Sequence, residues 1–449
     1  MRILLLVTFL VACSSETSNP LSTVCETAAD CTDPARPYCV QGACHGCDGP
    51  SACTAELPRC SLDELVCSAC MDDSDCALHT DTRRCGPEGA CVGCVRDDQC
   101  DNPLPVCDTD LQSCRGCEVD AECESMLCET ATGECTPEDE ILYAAPSGAV
   151  GGDCTRTDPC SLDRAVTLAM SSSVAAPTVL MLPGTYTSTI AVSAGDLKIL
   201  AREATLERGI TLTNAQLTVR GLEIENAGIV CGVGSTLVLE DVAVRNPTAI
   251  ALQSQGACDV RARRTELTGT ESVHVESGGY FRADQVTLHG DVRMVDRGLV
   301  SLINTVLEGT LARGAGYTDI TAEIRFSTVI LREQQFLDCR YGTGGWGLVL
   351  QNSIVYSRGI PPNGDVVYSP PGMLTACSTT RNLLYPQTIG AANPMFVDLA
   401  IGDYRLQASS PAIDEAMPTA GAGQTDHDHA GTPRPQGSGY DIGAFERLP

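Results

Sequence analysis

The chain has 449 residues, with 29 Lys and Arg against 58 Asp and Glu, a net charge of −29. That balance excludes nucleic acid and anionic lipid headgroups as expected partners, because both need basic neutralisation. The length admits two or three domains, and the charge is unevenly placed. Residues 14–140 hold 27 acids and 6 arginines, whereas residues 141–449 hold 31 acids and 22 bases.

At the N-terminus, Arg2 precedes an apolar run from Ile3 to Val11 that is broken only by Thr8. A membrane span needs about 20 apolar residues, so residues 1–12 read as a signal peptide. The run ends in Leu10-Val11-Ala12-Cys13, which resembles the lipobox of bacterial lipoproteins. The resemblance implies a diacylglyceryl group on Cys13, cleavage before it, and anchoring in a membrane by more than one acyl chain. Ser14, in place of Asp, implies by the same resemblance the outer membrane, with the protein facing the periplasm or the cell surface. Residues 13–24 read as a lipidated flexible tether.

Residues 25–135 contain 20 of the 27 cysteines in five units of four. The units are Cys25, Cys31, Cys39, Cys44; Cys47, Cys53, Cys60, Cys67; Cys70, Cys76, Cys85, Cys91; Cys94, Cys100, Cys107, Cys114; and Cys117, Cys123, Cys128, Cys135. A period of 23 or 24 residues marks a tandem array. The C-x2-C steps straddle unit boundaries and only His45 and His79 lie nearby, so a disulfide framework is favoured over zinc. Units this short cannot bury an adequate core, and bridges must replace one. Four cysteines allow three pairings per unit, and spacing does not choose among them. Acids cluster before the second cysteine: Asp30; Asp72, Asp73 and Asp75; Asp97 and Asp98; Asp120 and Glu122. Such loops could hold calcium; solubilising charge is the simpler expectation. No cofactor is required.

From about residue 141 the pattern changes. Ser161 is placed to N-cap a helix over 161–172, with Asp163 in its first turn and Leu162, Ala165, Val166 and Ala169 at helical spacing. Beyond the Pro183-Gly184 turn, short strands dominate. Leu222, Val242, Thr265, Val286, Val306, Val329 and Ile354 occupy comparable places in segments such as LTVRGLEIEN and LVLEDVAVRN, about 22 residues apart. Alternating apolar residues turn one side to a core. Asn226, Asn246, Asn304 and Asn352 are expected to stack at turns and bond rung to rung. The fold class is therefore all-β: a right-handed single-stranded parallel β-helix over 141–449, preceded by a small disulfide-rich repeat region. Roughly ten rungs at about 4.8 Å give a rod about 50 Å long, with the helix covering its open N-terminal end.

Both ends of this region resemble known β-helix proteins. The start is similar to the N-terminal cap of pectin-lyase-like proteins, which implies a Cys154–Cys160 bridge. The end, NPMFVDLAIGDYRLQASSPAID followed by DHAGTPRPQGSGYDIGAFE, resembles the terminus of choice-of-anchor Q domain proteins, a set of surface β-helix proteins. The matched residues include Asp403, Tyr404, Leu406, Ser410, Pro411, Ala412, Ile413 and Asp414, then Asp428, Gly431, Arg434, Asp441, Ile442, Gly443 and Glu446. A departure is Glu415-Ala416, where a glycine usually follows Asp414. The resemblance implies fold and location and assigns no reaction.

Candidate chemistry is sparse. The paired aspartates and Gly-His-Gly turn of a galacturonan hydrolase are lacking. Asp284, Asp291 and Asp296 with Arg282 and Arg293 approximate a calcium-dependent lyase site, but Asp284 and Asp291 fall at different points of a rung. His274 and His289 read as solvated loop histidines. Asp426, His427, Asp428 and His429 could hold a divalent ion, although an Asp428–Arg434 ion pair closing the last coil is the stronger expectation. Tyr341 and Trp346 could form a small sugar platform. Cys231 with Cys258, and Cys339 with Cys377, are spaced one or two rungs apart as further bridges. Setting Cys13 aside leaves 26 cysteines, an even number.

These observations lead to a non-catalytic surface lipoprotein, anchored in the outer membrane through lipid, that presents a β-helix to a glycan or protein partner. A polysaccharide lyase or glycoside hydrolase with a divergent site is one alternative, and a structural envelope spacer another.

Overall fold

The computed structural model describes residues 25–448 except 35, 62, 64, 131, 173–175, 315–319, 339–345, 369–376, 388–391 and 419–424. Cys13 and the signal and tether segments lie outside the described residues. The chain divides into two compact units, 1–138 and 139–449.

In the first unit every repeat is a short 3-10 turn followed by a two-stranded hairpin, as in Asp97–Gln99 followed by Val106–Asp108 and Ser113–Arg115. The third and fourth cysteines of each repeat face one another across the hairpin, for example Cys107 and Cys114. They bond back to the first and second, never to each other. The pairs are Cys25–Cys39 and Cys31–Cys44, Cys47–Cys60 and Cys53–Cys67, Cys70–Cys85 and Cys76–Cys91, Cys94–Cys107 and Cys100–Cys114, and Cys117–Cys128 and Cys123–Cys135. The buried clusters of these repeats are built largely from the cysteines themselves.

The acids of the repeats act on the backbone. Asp30, Asp75 and Glu122, just before the second cysteine, accept N–H groups at the start of their own loops, and Gln99 does the same in the fourth unit. Asp73, Asp97 and Asp120 each accept the N–H of the third cysteine, at 2.9, 2.8 and 3.0 Å. Arg115 and two backbone N–H groups hold the Glu122 carboxyl down at about 2. These oxygens are thus engaged in satisfying the turns on which the disulfides depend.

The second unit is a parallel β-helix. One buried stripe of its first face runs Leu197, Leu217, Leu237, Val260, Phe281, Val300, Ala322, Leu348, each residue in register with the next. Parallel strand-to-strand crossovers are right-handed, and this solenoid has that hand. Among the described residues, strands close a third face in seven turns, ending at Leu311–Arg313. The first two faces continue beyond, and the third side resumes after a gap in a further parallel pair, Leu337–Asp338 with Val367–Tyr368, whose Leu337 and Val367 join the same core. Helix α1 spans Leu162–Ser171, with Ser161 accepting the Arg164 N–H and Leu162, Ala165 and Ala169 buried against the first turns. Cys154–Cys160 and Cys231–Cys258 are bridged. Cys377 is also disulfide-bonded, and Cys339 lies outside the described residues.

The corner between the first and second faces repeats one conformation. Gly221, Asp241, Arg264, Gln285, Asn304, Phe326, Asn352 and Arg381 all have φ between +46° and +71°. Only glycine, and to a lesser degree Asn and Asp, adopts this region readily. The next residues, in register, are Leu222, Val242, Thr265, Val286, Thr305, Ser327 and Ser353. The first four expected anchors hold this position, whereas Val306, Val329 and Ile354 sit one, two and one residue beyond it. Small hydroxyl residues take the place there, so the apolar periodicity settled on the following strand.

Those hydroxyls form a buried ladder. The N–H of Thr305 donates to Ser327 Oγ, that of Ser327 to Ser353 Oγ, and that of Ser353 to Asn382 Oδ1, at 3.1, 3.2 and 2.9 Å. Of the asparagines expected to bond rung to rung, Asn304 does so, its Nδ2 donating to Asp284 Oδ1 of the preceding turn at 3.0 Å, though not to another amide. Asn246 Nδ2 bonds Ile250 O within its own turn, while Asn304 and Asn352 reach outward to the C-terminal segment. Ser353→Ala leaves the Ser327 N–H buried without an acceptor. Stability should fall by about 1–3 kcal/mol, read as a lower urea midpoint with an unchanged m-value.

Candidate functional site

On the second face, Ile224, Val244, Leu267, Leu288, Leu307, Val329 and Val355 point inward, so their neighbours point out. Two outward stripes result, in register: Glu223, Ala243, Glu266, Thr287, Val306, Thr328, Ile354, Leu383, and Glu225, Arg245, Thr268, His289, Glu308, Ile330, Tyr356, Tyr385. Both change from polar to largely apolar at the turn carrying Val306 and Glu308.

The apolar half is covered. Residues of the C-terminal segment, among them Phe396, Tyr404, Leu406, Ala412, Ala416, Ile442 and Ala444, form a second buried cluster with Val306, Phe326, Ile330, Ile354 and Leu383. Polar contacts hold the same surfaces together. Asn352 donates to Met417 O and accepts the Met417 N–H, Thr328 Oγ1 accepts the Ala444 N–H, and Gln285 donates to Asp428 O.

The terminal motif explains how this segment holds its shape. Arg434 is completely buried and pairs with Glu446 at 2.7 Å, not with Asp428 as expected. Its other nitrogens donate to the carbonyls of His427 and Gly443, and its guanidinium lies 5.1 Å from the Phe326 ring centre. Asp428 instead accepts the N–H groups of Ala430, Thr432 and Glu446. Asp441 accepts those of Asp414 and Arg447. Gly431 has φ +84°, and Gly443 has φ +106°, where a Cβ would lie 2.7 Å from Ile354 Cδ1.

The Asp426–His429 cluster does not converge. His427 stands between Asp426, at 2.5 Å from Nδ1, and Asp284, at 3.1 Å from Nε2. His429 is half-buried, with its ring nitrogens against Asn304 O and Thr287 Oγ1, and Asp428 serves the backbone. Among the described residues, the groups whose ligand atoms gather closely enough for a metal are cysteines of the first unit, all in disulfides. Asp284 ends a strand of the first face, Asp291 lies past the second-face corner with its Oδ1 on the Thr310 N–H, and Asp296 lies in the next turn. No lyase-like constellation results from these three. Tyr341 lies outside the described residues, and Trp346 opens the strand Trp346–Gln351.

His274 and His289 are on strands, not in solvated loops. Each sits between two carboxylates: His274 between Glu271 and Glu276, His289 between Glu308 and Glu266. Sequence reasoning missed the His289 grouping because its partners come from different turns, and that of His274, whose partners flank it on one segment, because that residue reads as loop. The available signal was the near-rung spacing of Glu266, His289 and Glu308.

The polar half of the second face stays open as a groove of about 440 Å³. Glu223, Asp241, Arg264, Glu266, Gln285, Thr287 and His429 help to line it. Ala243, between Glu223 and Glu266, provides its depth. Asp241 and Arg264 form a two-pronged pair at 2.6 and 2.8 Å, which holds the Asp241 carboxyl below its usual range. Glu223 and Glu266, both lining the groove, reach Arg245 only at 3.9 and 3.8 Å.

No family model matches the sequence, and no curated protein matches it. Among solved structures the chain is similar to the crystal structure of pectate lyase Pel9A, at 13% identity and a TM-score of 0.42, over 68% of this chain and 96% of that one. The likeness is one of fold and carries nothing about the site. The molecule is a disulfide-rich repeat region followed by an all-β, right-handed parallel β-solenoid.

Arg434→Leu should destabilise the second unit by about 3–5 kcal/mol at pH 7, because Glu446 is left buried without its counter-charge. The stranded carboxyl then has a folded pKa above its unfolded value. The loss should therefore shrink as the pH falls through that raised pKa, a trend measurable in denaturant titrations between pH 7 and 5.

Proposed function

We propose that the chain is a lipid-anchored outer-membrane surface protein whose β-helix binds a glycan, without catalysis. The supporting observation is the open half of the second face. Its carboxylate, guanidinium, amide and hydroxyl groups can exchange hydrogen bonds with sugar hydroxyls. The groove has no Phe, Tyr or Trp among its lining residues, so contact rests on hydrogen bonds more than on stacking. A protein partner would meet the same polar chemistry.

The anchoring part of the proposal rests on the lipobox-like segment ending at Cys13 and on disulfide-dense repeats, which suit an oxidising compartment. The acidic repeat region then serves as a spacer between lipid and β-helix. We further assign residues 392–448 to the choice-of-anchor Q type of terminus. In support, Asp428, Arg434, Asp441, Gly443 and Glu446 each occupy a distinct place in one buried network, and Gly431 makes the exposed turn beside Asp428.

A polysaccharide-cleaving enzyme is the second reading. The observation in its favour is His289, placed between two glutamates beside the groove, a position from which protons can be transferred. Incubation of the full-length chain with acidic and neutral polysaccharides, with and without calcium, separates the readings. The binding proposal expects no new reducing ends and no unsaturated products, and either product overturns it. For the anchor, Cys13→Ala should move the protein from the membrane to the soluble fraction and abolish labelling by a radioactive fatty acid. Retention of both would defeat that assignment.

A further inference from the structure

His289 has a carboxylate at each ring nitrogen. Nδ1 lies 3.1 Å from Glu308 Oε2 and Nε2 lies 3.7 Å from Glu266 Oε1. A neutral imidazole carries one N–H and can answer only one of these acceptors, whereas the imidazolium answers both. Glu308 is occupied on its other side as well. It accepts the phenolic O–H of Tyr404 at 2.5 Å, and Arg358 donates to the same phenol oxygen at 3.2 Å.

Tyr404 belongs to the hairpin formed by Phe396–Asp398 and Asp403–Leu406, which packs on the apolar half of the second face. The ring of His289 therefore stands at the border between the open groove and the covered surface. The preceding turn contributes Glu266, itself 3.8 Å from Arg245. The following turn contributes Glu308, with Tyr404 and Arg358 beyond it. On its own strand, Asp291 is turned to the Thr310 N–H and lies 3.9 Å from Arg332.

We propose that His289 is a pH-dependent latch for the C-terminal hairpin. As the imidazolium it neutralises Glu266 and Glu308 together and keeps Glu308 turned to Tyr404. As the neutral ring it leaves two glutamates facing one another across an uncharged group, and half-buried Glu308 keeps Arg358 as its nearby counter-charge among the described residues. Glu308 then gains by turning to water, and its hold on Tyr404 weakens.

The direction of the titration agrees with this geometry. The hydrogen bond to Glu308, then burial in the opposite sense, then the charges of Glu308 and Glu266 give His289 a net upward shift. The same contact holds Glu308 below the usual carboxylate range. A histidine with a raised folded pKa contributes fully below its unfolded value of about 6.5 and loses that contribution as the pH rises through the folded value. The latch is thus closed in mild acid and loosened in mild base.

Two readouts on the full-length chain in detergent test it. Histidine-selective 15N NMR, with the His289 signal assigned from its loss in His289→Gln, should give a pKa above 6.5 that falls by about half a unit to one unit in Glu308→Gln. Hydrogen exchange of residues 396–406, corrected for intrinsic rates, should accelerate several-fold between pH 6 and 8.5. That step should vanish in His289→Gln. It should vanish in Tyr404→Phe too, while the His289 pKa stays raised. An ordinary or lowered His289 pKa, or a step that survives in His289→Gln, overturns the latch.

Discussion

Each turn of a parallel β-helix satisfies its backbone only through the turns above and below, so a repeated corner must solve the same hydrogen-bonding problem at every level. In this protein the corner between the first and second faces places one residue after another in the left-handed region, half of them with side chains that do not favour it. The conformation persists where the corner N–H meets a carbonyl of the next turn, as it does at Asp241, Arg264, Asn304, Phe326 and Asn352. Where apolar anchors give way to hydroxyls, the side chains of Ser327 and Ser353 complete the next bonds. The straightness of the whole second face, and hence of everything laid upon it, depends on that corner.

The second face is divided in function by what lies on it. Its later turns carry Val306, Ile330, Ile354 and Leu383 outward and would expose a continuous apolar surface without the C-terminal segment. The segment can cover them because its own polar centre is satisfied internally, by Arg434, Glu446, Asp428 and Asp441, rather than by water. Its earlier turns carry Glu223, Arg245, Glu266 and Thr287 and stay open. The same rung geometry thus yields a structural dock and a polar groove side by side, with His289 and Glu308 at the boundary. The disulfide units solve a comparable shortage of core differently, with cysteines as the buried material and acids as backbone acceptors.

Much of this was legible in the residues. Alternation and a period near 22 residues specify the β-helix, Ser161 and Leu162 specify the cap helix, and cysteine spacing specifies the repeats. The terminal motif could be located, but its wiring could not: Arg434 chooses Glu446 because the chain folds back over twelve positions, a fact that spacing does not encode. Disulfide pairing was open for the same reason, since three pairings share one spacing. The His289 grouping escaped because its members come from successive turns of unequal length. The corner ladder escaped because Thr305, Ser327 and Ser353 stand where an apolar period was being followed.

The central claim is that the open half of the second face is a binding surface. It is tested most directly by probing a glycan array with the labelled full-length chain and with a Glu223→Ala, Glu266→Ala variant of matched thermal stability. The account predicts that the native chain selects a restricted set of glycans and that the variant loses them. Equal binding by the variant, or no bound glycan at all, would contradict it.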